Sequence, residues 1–191
     1  KLVQKIKDIE FPDIPEDIQQ VIMNNIQTIT KEYVGNEYNI TNTPIVINIK
    51  SNKVTTLQLI DLPGITQVAL TGKGQKKNIK EIIIQMIANY ISDKNTIILG
   101  IMPARVDLEV DIGLALIKKY DKDLSRTICV ISKVDLLDSS DDIANYLSND
   151  VVADLRSQLG YYALMNKGDE YNFFNSHPIY SKIDKKNIGI N

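Results

Sequence analysis

Apolar residues in the first half of the chain switch between the spacing of a helix and that of a strand. Helical spacing covers 18–29, where the Pro, Glu and Asp of 15–17 suit a first turn, and it returns at 79–90. Between these helices lie two β-rich runs, 44–50 and 54–60, joined by three polar residues. A connection this short favours an antiparallel pair of strands.

Three further apolar runs in the second half are separated by helical patterns. The runs 96–101 and 127–131 are almost wholly apolar, which predicts strands buried on both faces. A last short strand is expected at 161–165. The helices between these strands are expected at 108–120, with Asp107 as N-cap, and at 143–155, capped by Ser139 or Ser140.

This alternation predicts an α/β fold with a doubly wound, mostly parallel sheet and one antiparallel strand pair at 44–60. Parallel neighbours need a long crossover connection, and right-handed crossovers cover both faces of the sheet. The 191 residues, 43% hydrophobic and 24% charged, suit one domain with a sizeable core.

Bulk composition narrows the classes of function. With 22 basic and 24 acidic side chains the formal net charge is −2, so we expect no nucleic-acid partner and no general attraction to membrane surfaces. A single cysteine, Cys129, excludes an internal disulfide and a zinc site built on cysteines. No apolar stretch approaches the roughly 20 residues that a membrane span needs.

In open α/β sheets, ligands bind beyond the carboxyl ends of the strands. Asp61 follows the run 54–60, and Gly64 comes three residues later. Such an aspartate can hold a hydrated Mg²⁺ while the Gly64 N–H faces a phosphate oxygen. A strand-to-loop turn capped by Asp61 explains the same residues, and for this motif alone it is the commoner explanation.

Lys133 and Asp135 follow the apolar run 127–131. A carboxylate there can accept two parallel hydrogen bonds from the N1–H and the N2 amino group of guanine, which adenine does not supply. The stem of Lys133 can lie along the base. A surface ion pair is the alternative, but the position directly after a predicted buried strand favours a site that selects guanine.

Three ordered blocks resemble the GTPase domain of the dynamin superfamily. They are DLPGITQV from Asp61, SKVDLLD from Ser132 and FFNSHPIY from Phe173, with a shorter agreement at 102–108. The resemblance extends over nearly the whole chain, from about 14 to 180, and implies a fold of the P-loop GTPase type.

The resemblance also implies a role for each matching residue. Asp61 would face Mg²⁺ through water, Gly64 would sense the γ-phosphate of GTP, and 65–77 would be switch II. Lys133 and Asp135 would recognise guanine with support from Asp138, while Asn166 and Lys167 would close over base and ribose. No catalytic residue is assigned, and His177 is expected to pack. The implied GTP-binding set is Asp61, Leu62, Pro63, Gly64, Ile65, Ser132, Lys133, Val134, Asp135, Asp138, Met165, Asn166, Lys167 and Gly168.

The sequence departs from the family pattern most on the phosphate side. No GxxxxGK[ST] motif occurs, because none of the nine glycines is followed five residues later by another. The family's switch I threonine segment is missing too. Phosphate loops supply most of the nucleotide affinity, so we expect the chain alone to be inactive. Smaller departures are Ser132 for a Thr or Asn, Gln67 for a Lys, and Asp169 for a Gln.

The leading expectation is that 1–191 is a partial, N-terminally truncated dynamin-type GTPase domain. It would run from switch II onward and include the helix and strand before it. The parent protein would hydrolyse GTP with Mg²⁺ to drive membrane remodelling or fission. It would self-associate through GTPase domains and be cytoplasmic, peripheral to membranes through segments outside this chain. The alternatives are a nucleotide-deficient scaffold or regulatory module with the same fold, and an unrelated α/β nucleotide or flavin binder.

Overall fold

The chain divides at Met86 into two units, and the computed structural model describes residues 17–34, 40–50, 52, 55–137 and 141–189. Its regular elements are helices α1 (Ile18–Val34), α2 (Ile79–Ile91), α3 (Ile112–Tyr120), α4 (Asp141–Leu147) and α5 (Glu170–Ser176), and strands β1 (Ile98–Pro103), β2 (Thr127–Ser132) and β3 (Tyr161–Leu164). None of the described helices combines the length and apolar composition that crossing a membrane requires.

The helices α1 and α2 confirm the two helical patterns of the first half. The predicted antiparallel strand pair is not shown, since neither 44–50 nor 55–60 contains a strand. Apolar side chains here are in solvent, with Leu57 71% and Leu59 81% exposed. A strand forms where its backbone groups meet a ladder partner and its apolar side chains meet a buried face. These residues have the composition of strands but no such burial.

The second unit contains a three-stranded sheet in the order β1-β2-β3, with both neighbouring pairs parallel. This confirms a parallel sheet with helices between its strands. On one face, Cys129, Ile131, Tyr161 and Ala163 are completely buried. Helix α3 packs closely on this face, since a Cβ added at Gly100 would lie 2.9 Å from Ile117 Cδ1.

The prediction that 96–101 is buried on both faces is wrong. Side chains alternate along β1, with Ile98 and Met102 buried, whereas Leu99 is 57% and Ile101 63% exposed. Packed side chains therefore cover only one face of β1 within the described residues.

Two helices differ from their predicted extent. Asp107 accepts from Glu109 N–H and caps only the short turn Leu108–Val110, while Asp111 accepts from Leu114 N–H and begins α3.

Helix α4 ends at Leu147, because the next turn has Asn149 in the left-handed region at φ 55°. The predicted caps Ser139 and Ser140 lie outside the described residues.

Candidate functional site

The carboxyl ends of β2 and β3 bring two of the predicted segments side by side. In the parallel register Ser132 pairs with Leu164, so Lys133 and Met165 are the first residues beyond the two strands. Parallel neighbours lie about 4.7 to 4.9 Å apart. The segments 132–135 and 165–168 therefore lie side by side at the carboxyl end of the sheet.

The segment after β2 is a tight turn held in an uncommon backbone conformation. Lys133 lies in the left-handed region with φ 60° and ψ 37°, and Leu136 N–H donates to the carbonyl of Lys133 at 3.1 Å. Val134 is only 2% exposed and anchors the turn in the core. Lys133 is exposed and Asp135 half-buried, so the turn presents its two charged side chains at the sheet edge.

Three hydrogen bonds join the carboxyl ends of β1 and β2 and the residues that follow them. The N–H of Ala104 donates to the carbonyl of Ser132 at 2.9 Å, and the Ser132 hydroxyl donates to the carbonyl of Met102 at 3.3 Å. The guanidinium Nε of Arg105 donates to the carbonyl of Leu136 at 3.1 Å. The loop beyond β1 therefore supports the turn beyond β2.

The segment after β3 is fixed by the start of α5. Met165 is buried, and its N–H donates to Glu170 Oε1 at 2.8 Å. The next three residues, 166–168, are exposed. Asp169, which stands where the family usually has a glutamine, caps α5 by accepting from Asn172 N–H. Its carboxylate is therefore engaged in a helix cap.

The DLPG segment belongs to the first unit. Asp61 and Gly64 are exposed, whereas Leu62, Pro63 and Ile65 are partly buried. A Cβ added at Gly64 would meet no atom within 4 Å. Packing within the described chain therefore does not require a glycine at this position.

The following segment, predicted as switch II, is held by side-chain amides. Gln67 accepts from the Lys80 ammonium at 2.9 Å, and Gln75 accepts from Leu70 N–H at 2.8 Å. Asp138 lies outside the described residues.

Two reactive side chains, Cys129 and His177, are engaged in packing, which was the expectation for His177. Burial raises the pKa of the Cys129 thiol to about 11, so it stays protonated at neutral pH. His177 Nδ1 accepts from the N–H groups of Ile179 and Tyr180, both at 3.3 Å, and its ring stacks on Tyr180 with centroids 4.3 Å apart.

Sequence reasoning gave no role to two residues that support the site, Arg105 and Glu170. Both carry recognisable signals. Arg105 follows β1 at the same sheet edge, and Glu170 follows the N-cap residue Asp169 at a helix start. What the sequence does not give is the carbonyl or N–H that each side chain reaches.

Comparison with known proteins identifies the family. A sequence profile described as "Dynamin family" matches residues 4–134. The chain is 35% identical over 189 residues to Vacuolar protein sorting-associated protein 1 of Schizosaccharomyces pombe, covering 91% of this chain and 26% of that protein. It is 35% identical over 179 residues to Dynamin-B of Dictyostelium discoideum, covering 86% of this chain and 19% of that protein.

A third relative, Dynamin-2 of Bos taurus, is 33% identical over 192 residues, which cover 93% of this chain and 21% of that protein. The chain thus spans about a quarter or less of the length of these three relatives. Membership of the family fits a fold of the P-loop GTPase type. Since the family profile matches well over half of its residues, the chain belongs to the dynamin family.

Proposed function

We propose that residues 1–191 are the guanine-nucleotide-binding part of a dynamin-like GTPase domain. The observation that supports this best is the placement of 132–135 and 165–168 side by side beyond β2 and β3. Ligands of open α/β sheets bind at this edge.

In this proposal Asp135 reads the base. Its carboxylate accepts from the N1–H and N2 amino group of guanine, and Lys133 lies along the ring. Asn166 and Lys167, exposed on the neighbouring segment, close over base and ribose. Val134 and Met165, both buried, anchor the two segments rather than contact the ligand through their side chains. Asp138 gives further support to base recognition.

The residues on the phosphate side fit a hydrated Mg²⁺. Magnesium keeps several waters and takes one or two carboxylates together with substrate phosphates. Asp61 offers one exposed carboxylate, and the described residues contain no cluster of three or more His, Cys, Asp or Glu that would form a protein cage. Bound with GTP, the ion would neutralise phosphate charge. Asp61 would hold the ion through a water, and the Gly64 N–H, beside which there is open space, would donate to the γ-phosphate.

The phosphate-binding loop and switch I belong, in this proposal, to residues of the parent protein outside this chain. The sheet of this chain would then be the N-terminally truncated part of a doubly wound sheet, which those residues complete. Membership of the family is what supports this part of the proposal. The parent would hydrolyse GTP to GDP and phosphate and drive membrane remodelling or fission. Self-association through GTPase domains, and a cytoplasmic location peripheral to membranes, belong to the same proposal and are supported by the family.

A second candidate is a nucleotide-deficient scaffold or regulatory module with the same fold. The absence of any GxxxxGK[ST] motif in the 191 residues favours it. The two candidates differ in whether the segments 132–135 and 165–168 still bind a guanine base.

Titration of the ¹⁵N-labelled chain with GMP and AMP, followed by amide chemical shifts, separates the candidates. The proposal expects GMP to shift residues 132–135 and 165–168 with millimolar affinity, and AMP to bind at least about tenfold more weakly, equivalent to one or two hydrogen bonds. Equal binding of both nucleotides, or none, would favour the scaffold. Micromolar binding of GTP with Mg²⁺ by this chain alone would contradict the requirement for an external phosphate loop.

A further inference from the structure

Arg105 joins the loop beyond β1 to the turn beyond β2. Its Nε donates to the carbonyl of Leu136 at 3.1 Å, across 31 positions of sequence. Leu136 is the last residue of the turn Val134–Leu136, next to Asp135. The bond therefore ends one residue from the carboxylate proposed to read guanine.

The turn Val134–Leu136 is anchored in the core on the side that precedes Asp135. Val134, the residue before Asp135, is 2% exposed in the core. Leu136, the residue after Asp135, is 43% exposed, so packing restrains it less. The Arg105 bond fixes the carbonyl on this less restrained side. Asp135 is therefore bracketed by a buried valine and by a carbonyl that a guanidinium holds.

We infer that Arg105 is a positioning residue for guanine recognition, which keeps Asp135 aligned with the base by holding the carbonyl of Leu136. This inference rests on the proposed function. The cationic side chain is suited to the task because a hydrogen bond from a charged donor is stronger than one between neutral groups. Arg105 is exposed, so its replacement removes the bond without opening a cavity in the core.

The chain provides a matched control in Arg156. Its Nε also donates to a backbone carbonyl, that of Val151, at 3.1 Å, and it too is exposed. Arg156 precedes β3 and so lies at the end of that strand opposite Met165. The two arginines share residue type, bond type, bond length and exposure class, but only one reaches the turn that carries Asp135.

The test uses the ratio of the dissociation constants for IMP and GMP. These nucleotides differ only in the N2 amino group of guanine, so the ratio reports how well Asp135 reaches that group and is insensitive to general loss of binding. The chain would be titrated as wild type and as Arg105→Gln, Arg105→Lys and Arg156→Gln, with thermal melting of each. We expect Arg105→Gln to lower the ratio about threefold to tenfold, the equivalent of one hydrogen bond.

The other two variants serve as controls for the effect of Arg105→Gln on this ratio. Arg156→Gln is expected to keep the wild-type ratio, and Arg105→Lys, which keeps a cationic donor, is expected to keep most of it. An unchanged ratio in Arg105→Gln would overturn the inference, as would an equal loss in Arg156→Gln or a lysine variant as poor as the glutamine variant. A wild-type chain that binds IMP and GMP equally would overturn the proposed function itself, and the inference with it.

Discussion

Asp121 and Asp135 have the same carboxylate in different surroundings. Asp121 is 6% exposed and accepts from the N–H and hydroxyl of Ser125, the N–H of Arg126 and the hydroxyl of Thr127. Its acceptor capacity is used inside the fold. Asp135 is half-buried at the sheet edge. The sequence alone does not separate the structural aspartate from the proposed recognition residue, because the difference lies in which donors surround each.

Stability is expected to depend on Asp121 and on pH. Burial by itself raises the pKa of this carboxyl, but hydrogen bonds from Thr127, Arg126 and Ser125 outweigh it and hold the pKa below its ordinary value of 3.8. A lowered folded-state pKa gives stability that is present above the unfolded value and lost as pH falls through the folded value. Asp121→Asn should therefore lower the free energy of unfolding at pH 7 by about 1 to 3 kcal/mol.

Urea denaturation from pH 7 to pH 3 measures this contribution. The difference between wild type and Asp121→Asn should shrink once the pH falls below about 4, where the carboxyl of the unfolded chain begins to bind a proton that the folded state does not yet bind. A difference that stays constant to pH 3 would contradict a stabilising charged form of Asp121.

Gly168 and Gly64 are expected to respond differently to alanine. Gly168 lies at φ 81°, a left-handed conformation that costs other residues about 1 to 2 kcal/mol, whereas a Cβ at Gly64 meets nothing within 4 Å. Gly168→Ala should destabilise the chain by about 1 kcal/mol and weaken GMP binding. Gly64→Ala should change stability by less than about 0.5 kcal/mol. Equal stability of both variants by chemical denaturation would argue against the left-handed requirement.

For the helices and strands, apolar periodicity predicted those elements whose position is determined by their own residues. Helices α1 and α2 and strands β2 and β3 fall within or close to the predicted ranges, because each contains a run of apolar residues at one period. The periodicity did not predict helix ends that depend on polar side-chain contacts. The break after Leu147 comes with the bonds between the Asn149 side chain and the backbone of Ser157, which apolar spacing does not reveal.

Arg126 connects three elements and should contribute more to stability than an exposed arginine. Its guanidinium donates to the carbonyls of Ile91 at the end of α2, Thr96 before β1 and Tyr120 at the end of α3, at 2.6, 2.7 and 3.1 Å. Arg126→Gln should cost about 1.5 to 3 kcal/mol, the range for hydrogen bonds to a charged group. Arg156→Gln, which loses one exposed bond, should cost less than about 0.5 kcal/mol in the same denaturation experiment. Similar losses in both variants would refute the role given to Arg126.

For the molecule as a whole, the order of motifs predicted the family, and the alternation of strands and helices predicted a parallel sheet. Neither predicted the state of 44–50 and 55–60, whose strand-like residues are exposed and form no ladder. A sheet strand depends on a neighbour that can be distant in sequence, so periodicity gives its composition but not its partner. For the same reason, the pairing of Ser132 with Leu164 carries more weight for function than either motif alone.

The most direct test of guanine recognition by this chain is the nucleotide preference of Asp135→Asn. Xanthine has a carbonyl where guanine has the N2 amino group, so an asparagine amide can donate to it while a carboxylate repels it. Asp123→Asn, an exposed aspartate before β2 at the opposite end of the sheet, serves as the control. We expect the wild type and Asp123→Asn to prefer GMP, and Asp135→Asn to prefer XMP. An unchanged preference for GMP in Asp135→Asn would contradict guanine recognition by Asp135.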